Sequence, residues 1–267
     1  MIVFKHTFAT LAEIWFDPDP LRTIASCDSR VDVILFRHTP CPIPGARCQD
    51  THTLEVDLRQ SAEALTSSFD TQTTSDLKRA ARGGLKYRYW KNPDKKVLDE
   101  FCDFNSRFSE RKGLVKSNRQ RLEIYSRAGL LDLSTVASNA GTTLTWQSFI
   151  VDKQRARYLH GAAAPPNHPS PSRSLVARAN RLHHRNNMLR FKEAGVAVYD
   201  MGGWYDGKED PKKLGINRFK EGFGGRVSKS FNYEIALSLK GKLYLELRRR
   251  YVDLALLRAS YAARRGR

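Results

Sequence analysis

The run Gly215-Ile216-Asn217-Arg218-Phe219-Lys220-Glu221-Gly222-Phe223-Gly224-Gly225 sets one lysine beside two phenylalanines and closes on glycines. On a helix Phe219 and Phe223 are i,i+4 neighbours and form one apolar stripe. Lys220 then leaves the helix beside an apolar surface instead of from a fully solvated face, a placement that points to chemistry and not to solubility. The competing reading is a short amphipathic helix with an ordinary surface lysine. A second grouping lies in Asn118 to Arg127, where a helix puts Arg121 and Tyr125 on one face, i,i+4 apart, as a clasp for an anionic substrate group. A third, Asp76-Leu77-Lys78-Arg79-Ala80-Ala81-Arg82-Gly83-Gly84-Leu85, reads as a basic helix stopped by a glycine pair, either a phosphate holder or a solvated face.

Metal chemistry finds no support in the spacing. Cys27, Cys41, Cys48 and Cys102 form no C-x-x-C pair and have no histidines in a ligand arrangement, so buried free thiols are expected. His183 and His184 are adjacent, and neighbours on a helix point about 100° apart, too far to chelate one ion easily.

The elements that must position these residues follow from periodicity. Short apolar segments at Ile14-Trp15-Phe16 and Val31 to Phe36 read as strands between Pro- and Gly-bearing turns, and Leu54, Val56 and Leu58 alternate as in a half-buried strand. Ser61 to Phe69 reads as a short helix. Lys86 to Trp90 reads as a strand, followed by a helix whose Val97, Phe101, Phe104 and Phe108 share one stripe and are expected to be core. Thr143 to Val151 and Arg155 to His160 form a hairpin turning at Asp152-Lys153-Gln154. Gly161 to Pro171 is a loop, Ser172 to about Ala194 a capped long helix, and Val196 to Asp200 a buried strand opening into Met201-Gly202-Gly203-Trp204. That order of strand, helix, strand and glycine loop argues for a parallel crossover. Phe231 to Leu239 alternates as a strand. The C-terminal helix, about Leu243 to Ala263, is expected to turn Leu243, Leu247, Leu254, Leu257 and Tyr261 inward and Arg248, Arg249, Arg250 and Arg258 mostly outward.

A chain of 267 residues with 40% hydrophobic and 10% aromatic content can bury a sizeable core. No apolar run approaches the roughly 20 residues that span a bilayer. Met1-Ile2-Val3-Phe4-Lys5-His6 lacks the pattern of a secretory signal, so the expected localisation is cytoplasmic. The formal charge of +18, from 46 Lys+Arg against 28 Asp+Glu, attracts polyanions: nucleic acid, a nucleotide-linked substrate or an anionic membrane surface.

Several of these landmarks, taken in order, resemble the Fem-type aminoacyltransferases of the GNAT superfamily, which transfer amino acids from aminoacyl-tRNA to peptidoglycan precursors. Thr53-Leu54-Glu55-Val56-Asp57-Leu58 with Leu77 to Gly84 is similar to the family's strand and basic helix. Phe108-Ser109-Glu110-Arg111-Lys112-Gly113 with Arg121 and Tyr125 resembles its substrate-binding helix pair. Tyr158-Leu159-His160-Gly161-Ala162 resembles its Tyr-Leu-Tyr-Gly-Ala strand end, Tyr199-Asp200-Met201-Gly202-Gly203 its Tyr-Asp-Phe-Gly-Gly loop, and Gly215 to Gly225 its Phe-Lys helix. The likeness spans about residues 53 to 240.

The resemblance implies an α/β (α+β mixed sheet) GNAT-like acyltransferase fold with a reduced N-terminal half over residues 1–84, a catalytic domain over 85–240 and a basic C-terminal helix over 241–267. It implies catalytic roles for Lys220 and Phe219 and substrate-binding roles for Arg121, Tyr125, Tyr158, Asp200 and Phe223. It also implies aminoacyl-tRNA as donor without a cofactor, and a small-molecule or nucleotide-linked amine acceptor; from the residues themselves no metal is expected, and the basic back of the C-terminal helix reads either as a solvated face or as a surface for RNA or peripheral membrane contact. Lys220 would stabilise the oxyanion formed when an amine attacks the donor ester, and Phe219 would keep water away. The N-terminal half is shorter than the family pattern and the Ala163 to Ser172 loop is proline-rich, so the acceptor need not be a cell-wall precursor. An acyl-CoA-dependent N-acyltransferase is the rival enzyme; it needs a glycine turn to cradle pyrophosphate, and no glycine lies between Ala162 and Arg178. A non-catalytic RNA-binding protein on the same frame is the third reading.

Overall fold

The computed structural model describes residues 1–165 and 171–251. Its chain divides into two compact units, one of residues 1–51 with the segment from 229 onward, the other of residues 52–228. Residues 52–84, placed with the N-terminal half in the sequence reading, thus pack in the larger unit.

In the smaller unit the strand order is β1 (Ile2–His6), β2 (Ala9–Trp15), β3 (Val33–Thr39) and β10 (Arg226–Ala236). β1 and β2 form an antiparallel hairpin, β2 and β3 run parallel around helix α1 (Pro20–Ala25), and β10 lies antiparallel to β3. A helix α8 over residues 239–251 closes this unit. Its phase differs from the sequence expectation: Leu243 and Leu247 are exposed, while Tyr244 and Leu245 dock on Ala9, Leu11, Val33 and Leu35. The apolar repeat was real, but the sheet accepts the neighbouring stripe. Leu254, Leu257, Arg258 and Tyr261 lie outside the described residues.

In the larger unit the strand order is β4 (Cys48–Asp57), β9 (Val198–Gly203), β8 (Arg155–Ala163), β7 (Thr143–Val151), β6 (Leu131–Ala137) and β5 (Lys86–Lys91). The expected crossover is present, because β8 and β9 are parallel, with Ala156 paired to Tyr199 and Arg157 to Asp200, and α6 (Arg173–Glu193) joins them. Ser172 caps α6, its Oγ accepting from the Leu175 N–H. The Gly161 to Pro171 loop was set too early, since β8 runs on to Ala163; residues 166–170 lie outside those described. Helices α2 (Ala62–Ser67), α3 (Thr71–Arg82), α4 (Lys95–Lys112), α5 (Arg119–Arg127) and α7 (Pro211–Glu221) complete the unit. Its core joins Leu54, Val56 and Leu58 of β4, Met188 and Phe191 of α6, Tyr199 of β9, and Phe223.

Two side-chain expectations change here. Of the cysteines only Cys102 is buried, with Cys27 half-buried and Cys41 and Cys48 exposed. Of the α4 stripe, Phe101 is core, but Phe108 forms a cavity wall. No helix among the described residues is long and apolar enough to cross a membrane.

Candidate functional site

Helix α7 places Lys220 through tightly specified ends. Asp210 caps its start, accepting from the N–H groups of Lys212 and Lys213 at 3.0 and 3.1 Å, and Pro211 supplies a helix-ready first residue. At the other end Gly222 is the C-cap, two residues before the expected glycine pair. A Cβ at Gly222 would stand 2.7 Å from Thr73 Oγ1 and 2.9 Å from Asp70 Oδ2, so only glycine lets α7 end against the start of α3. Gly225 then turns away at φ 94°, where a Cβ would meet the Glu55 carbonyl oxygen at 2.5 Å.

Lys220 is 7% exposed and its Nζ donates to the Gly203 carbonyl at the end of β9. Burial, helped by the nearby Arg157 cation, pulls its pKa from 10.5 to about 8, while Asp200 works in the opposite direction. The phenylalanine stripe forms as the i,i+4 spacing requires, with the Phe219 and Phe223 rings 5.4 Å apart in an edge contact. His184 wedges against both, at 5.6 and 5.4 Å, and against Tyr158 at 5.2 Å. Its Nδ1 is 2.7 Å from the Tyr199 hydroxyl, and burial together with Lys220 drops its pKa to about 3. A neutral imidazole therefore backs a cationic amine.

Beneath them Asp200, fully buried, anchors an ionic network. Its Oδ2 accepts from Arg157 at 2.6 Å and Arg155 at 3.2 Å, its Oδ1 from the Gly202 N–H at 2.8 Å and from Thr53, and Arg155 also reaches Glu55. Burial would raise the Asp200 carboxyl, but Arg157, Thr53, Arg155 and Gly202 outweigh it and hold the group below the usual carboxylate range. The negative charge held there favours the cationic form of Lys220.

Lys220 opens on a cavity of about 520 Å³. Its walls are Asn105, Phe108 and Ser109 of α4, Tyr158, His160 and Gly161 of β8, and Asn180 and His184 of α6, with Lys212 and Phe219 beside Lys220 on α7. Tyr158 folds over Gly161 so closely that a Cβ there would fall 1.6 Å from its hydroxyl oxygen. Burial raises the Tyr158 phenol, which stays neutral and makes no hydrogen bond among the described residues. The cavity thus offers a buried cation at Lys220, a second amine at Lys212, the Tyr158 hydroxyl and aromatic walls, a combination suited to a polarised carbonyl kept from bulk water.

Of the residues named from the sequence, Lys220, Phe219 and Tyr158 meet in this cavity. Asp200 lies behind it with no surface of its own, and Phe223 is fully buried in the core, so both support the wall instead of touching its contents. Arg121 and Tyr125 pair with each other, Nε to hydroxyl at 2.6 Å, outside the cavity lining. His183 is held between Thr145 and Ser134 at 2.8 Å each. No group of three His, Cys, Asp or Glu suited to a metal occurs among the described residues. The sequence reading missed Arg155 and Arg157, whose i,i+2 spacing on β8 puts both on one face, and His184, Asn105 and Lys212.

No family model matches the chain. No curated protein matches it either. Among solved structures it is similar to FemX, with 15% identity, 85% of this chain and 81% of that one covered, and a TM-score of 0.63. It is also similar to the C-terminal domain of a putative lysylphosphatidylglycerol synthetase from Agrobacterium fabrum, at 13% identity, 91% and 83% coverage and a TM-score of 0.52. L-PGS from Bacillus licheniformis matches with 13% identity, 81% and 72% coverage and a TM-score of 0.52. The chain therefore has the mixed α/β fold that its motifs implied, shared with FemX and the lysylphosphatidylglycerol synthetase domain.

Proposed function

We propose that the protein is an aminoacyltransferase that moves an amino acid from the ester of an aminoacyl-tRNA to an amine on a cell-envelope precursor. The observation that carries this reading is a buried, still cationic Lys220 opening on a cavity walled by aromatic and polar groups, with Lys212 as a second amine in the lining. In the proposed step the acceptor nitrogen attacks the ester carbonyl carbon, and the carbonyl electrons move onto oxygen. Lys220 stabilises that oxyanion. Collapse forms the amide and expels the ribose oxygen, which takes a proton from Lys220; Lys220 regains one from the attacking nitrogen, so the net transfer is N–H to O–H. Phe219 and Phe108 exclude the water that would otherwise hydrolyse the ester, and the Tyr158 hydroxyl orients a substrate oxygen. The Asp200 charge, fixed by Arg155 and Arg157, favours the lysine's cationic form without touching the substrate.

The likeness to FemX and to the domain of a putative synthetase named for lysylphosphatidylglycerol supports aminoacyl rather than acetyl transfer. Incubating the purified protein with charged tRNA or with acyl-CoA, each with candidate amines, separates the two donors. Transfer from charged tRNA that RNase abolishes is the expected result. RNase-insensitive transfer from acyl-CoA would overturn it.

A further inference from the structure

We propose that the smaller unit carries an anion site built from four arginines, which takes the phosphate groups of a polyphosphate or phosphodiester ligand. A cavity of about 400 Å³ opens among Arg37 of β3, Arg47, Asn232 and Glu234 of β10, and Arg248 and Arg249 of α8. It is lined by residues of that unit alone and shares none with the cavity at Lys220.

The charge arrangement is unusual in its balance. Two of the arginines are fixed in place: Arg37 Nε lies 3.2 Å from the carboxylate of Glu13, itself 1% exposed, and Arg248 Nη1 lies 2.9 Å from Glu234 Oε1. Glu234 sits between them, since the same oxygen is 4.0 Å from Arg37 Nη2. Arg47 and Arg249 make no ion pair among the described residues. The lining therefore holds four guanidinium groups and one carboxylate, so positive potential focuses in a concave space. Like charges gathered round a concavity repel, and a bound anion relieves that repulsion. Guanidinium forks match phosphate oxygens two at a time, and the two fixed arginines are already ordered to do so. A carboxylate ligand would satisfy fewer forks than a phosphodiester or pyrophosphate group, which presents several oxygens at once.

The site does not depend on the transfer chemistry proposed above. Its test is equilibrium binding of two probes, inorganic pyrophosphate and a short RNA duplex, to wild type, to Arg47→Glu/Arg249→Glu and to Lys96→Glu/Arg107→Glu on α4. The four substituted side chains are exposed, and the two double variants change net charge equally. Reversal at Arg47 and Arg249 is expected to weaken binding about tenfold or more, while the α4 variant stays within about twofold of wild type. For RNA the slope of log affinity against log salt should fall by about 2 in the first variant only. Loss confined to the RNA arm identifies a phosphodiester backbone as the source of the phosphate; loss in both arms identifies a small phosphorylated ligand as well. Equal weakening in the two double variants would mean general surface attraction and would overturn the site, as would wild type that binds neither probe.

Discussion

Replacing Lys220 with Met separates catalysis from folding, because the two effects have opposite signs. The native protein holds this amine 7% exposed with its pKa drawn from 10.5 to about 8. At about 1.4 kcal/mol per tenfold, burying the cation costs on the order of 3 kcal/mol of stability at neutral pH. Met nearly matches the stem in volume and needs no hydrogen bond, so Lys220→Met should be at least as stable as wild type in urea unfolding at pH 7. The linkage has a definite sign. The folded pKa lies below the unfolded one, so the unfolded chain binds more protons between pH 8 and 10.5, and wild-type stability from this group rises across that window. The stability gap between variant and wild type should narrow there. Turnover should move the other way: loss of one oxyanion donor removes about 2.7 to 4 kcal/mol of transition-state stabilisation, a fall of about a hundredfold to a thousandfold in kcat. The assay is single-turnover transfer from radiolabelled aminoacyl-tRNA alongside the unfolding curves. A variant that is stable and fully active would refute the role of Lys220; one that is inactive only because it is unfolded would refute the electrostatic argument.

Other expectations follow from the same geometry. The alkaline limb of the wild-type kcat profile should fall through about pH 8 as Lys220 loses its proton, with the acceptor amine's own deprotonation setting the acid limb; a profile flat from pH 7 to 10 would contradict this. Asp200→Asn leaves Arg157 and Arg155 short of a buried counter-charge and should cost about 3 to 5 kcal/mol in denaturant, and in whatever folds, the alkaline limb should move to lower pH. Gly161→Ala should drive the Tyr158 ring from its place and lower kcat/KM by about tenfold to a hundredfold while the melting temperature barely moves, since the displaced group is the end of a side chain. Gly225→Ala should instead cost stability, about 1 to 3 kcal/mol, because both its positive φ and the Glu55 carbonyl oppose a Cβ, and calorimetry would show it.

What the sequence revealed depended on how local each signal was. The Phe219/Phe223 stripe and the cap at Ser172 are written within a few residues, and both appear in the structure. The crossover of β8, α6 and β9 was legible from the order of its elements. Strand β6 was not, because it is buried on both faces yet carries Asp132, Ser134 and Thr135, whose partners Tyr89, His183 and the Thr145 carbonyl come from elsewhere in the chain. Its polar composition hides a core strand. The Asp200 network was equally hidden: Arg157 meets Asp200 only through the parallel register of two strands that lie far apart in sequence. In α8, periodicity gave a stripe but could not say which of two adjacent apolar stripes, Leu243/Leu247 or Tyr244/Leu245, the sheet would take.

The reach of Lys220 into its cavity is tested most directly by a structure with a non-hydrolysable donor, an aminoacyl-nucleoside joined by an amide in place of the ester. The aminoacyl carbonyl oxygen is expected at about 2.7 to 3.1 Å from Lys220 Nζ, with Phe219 and Tyr158 flanking it. A donor bound with its carbonyl outside this cavity, or with Lys220 still turned to the Gly203 carbonyl and away from the ligand, would contradict it.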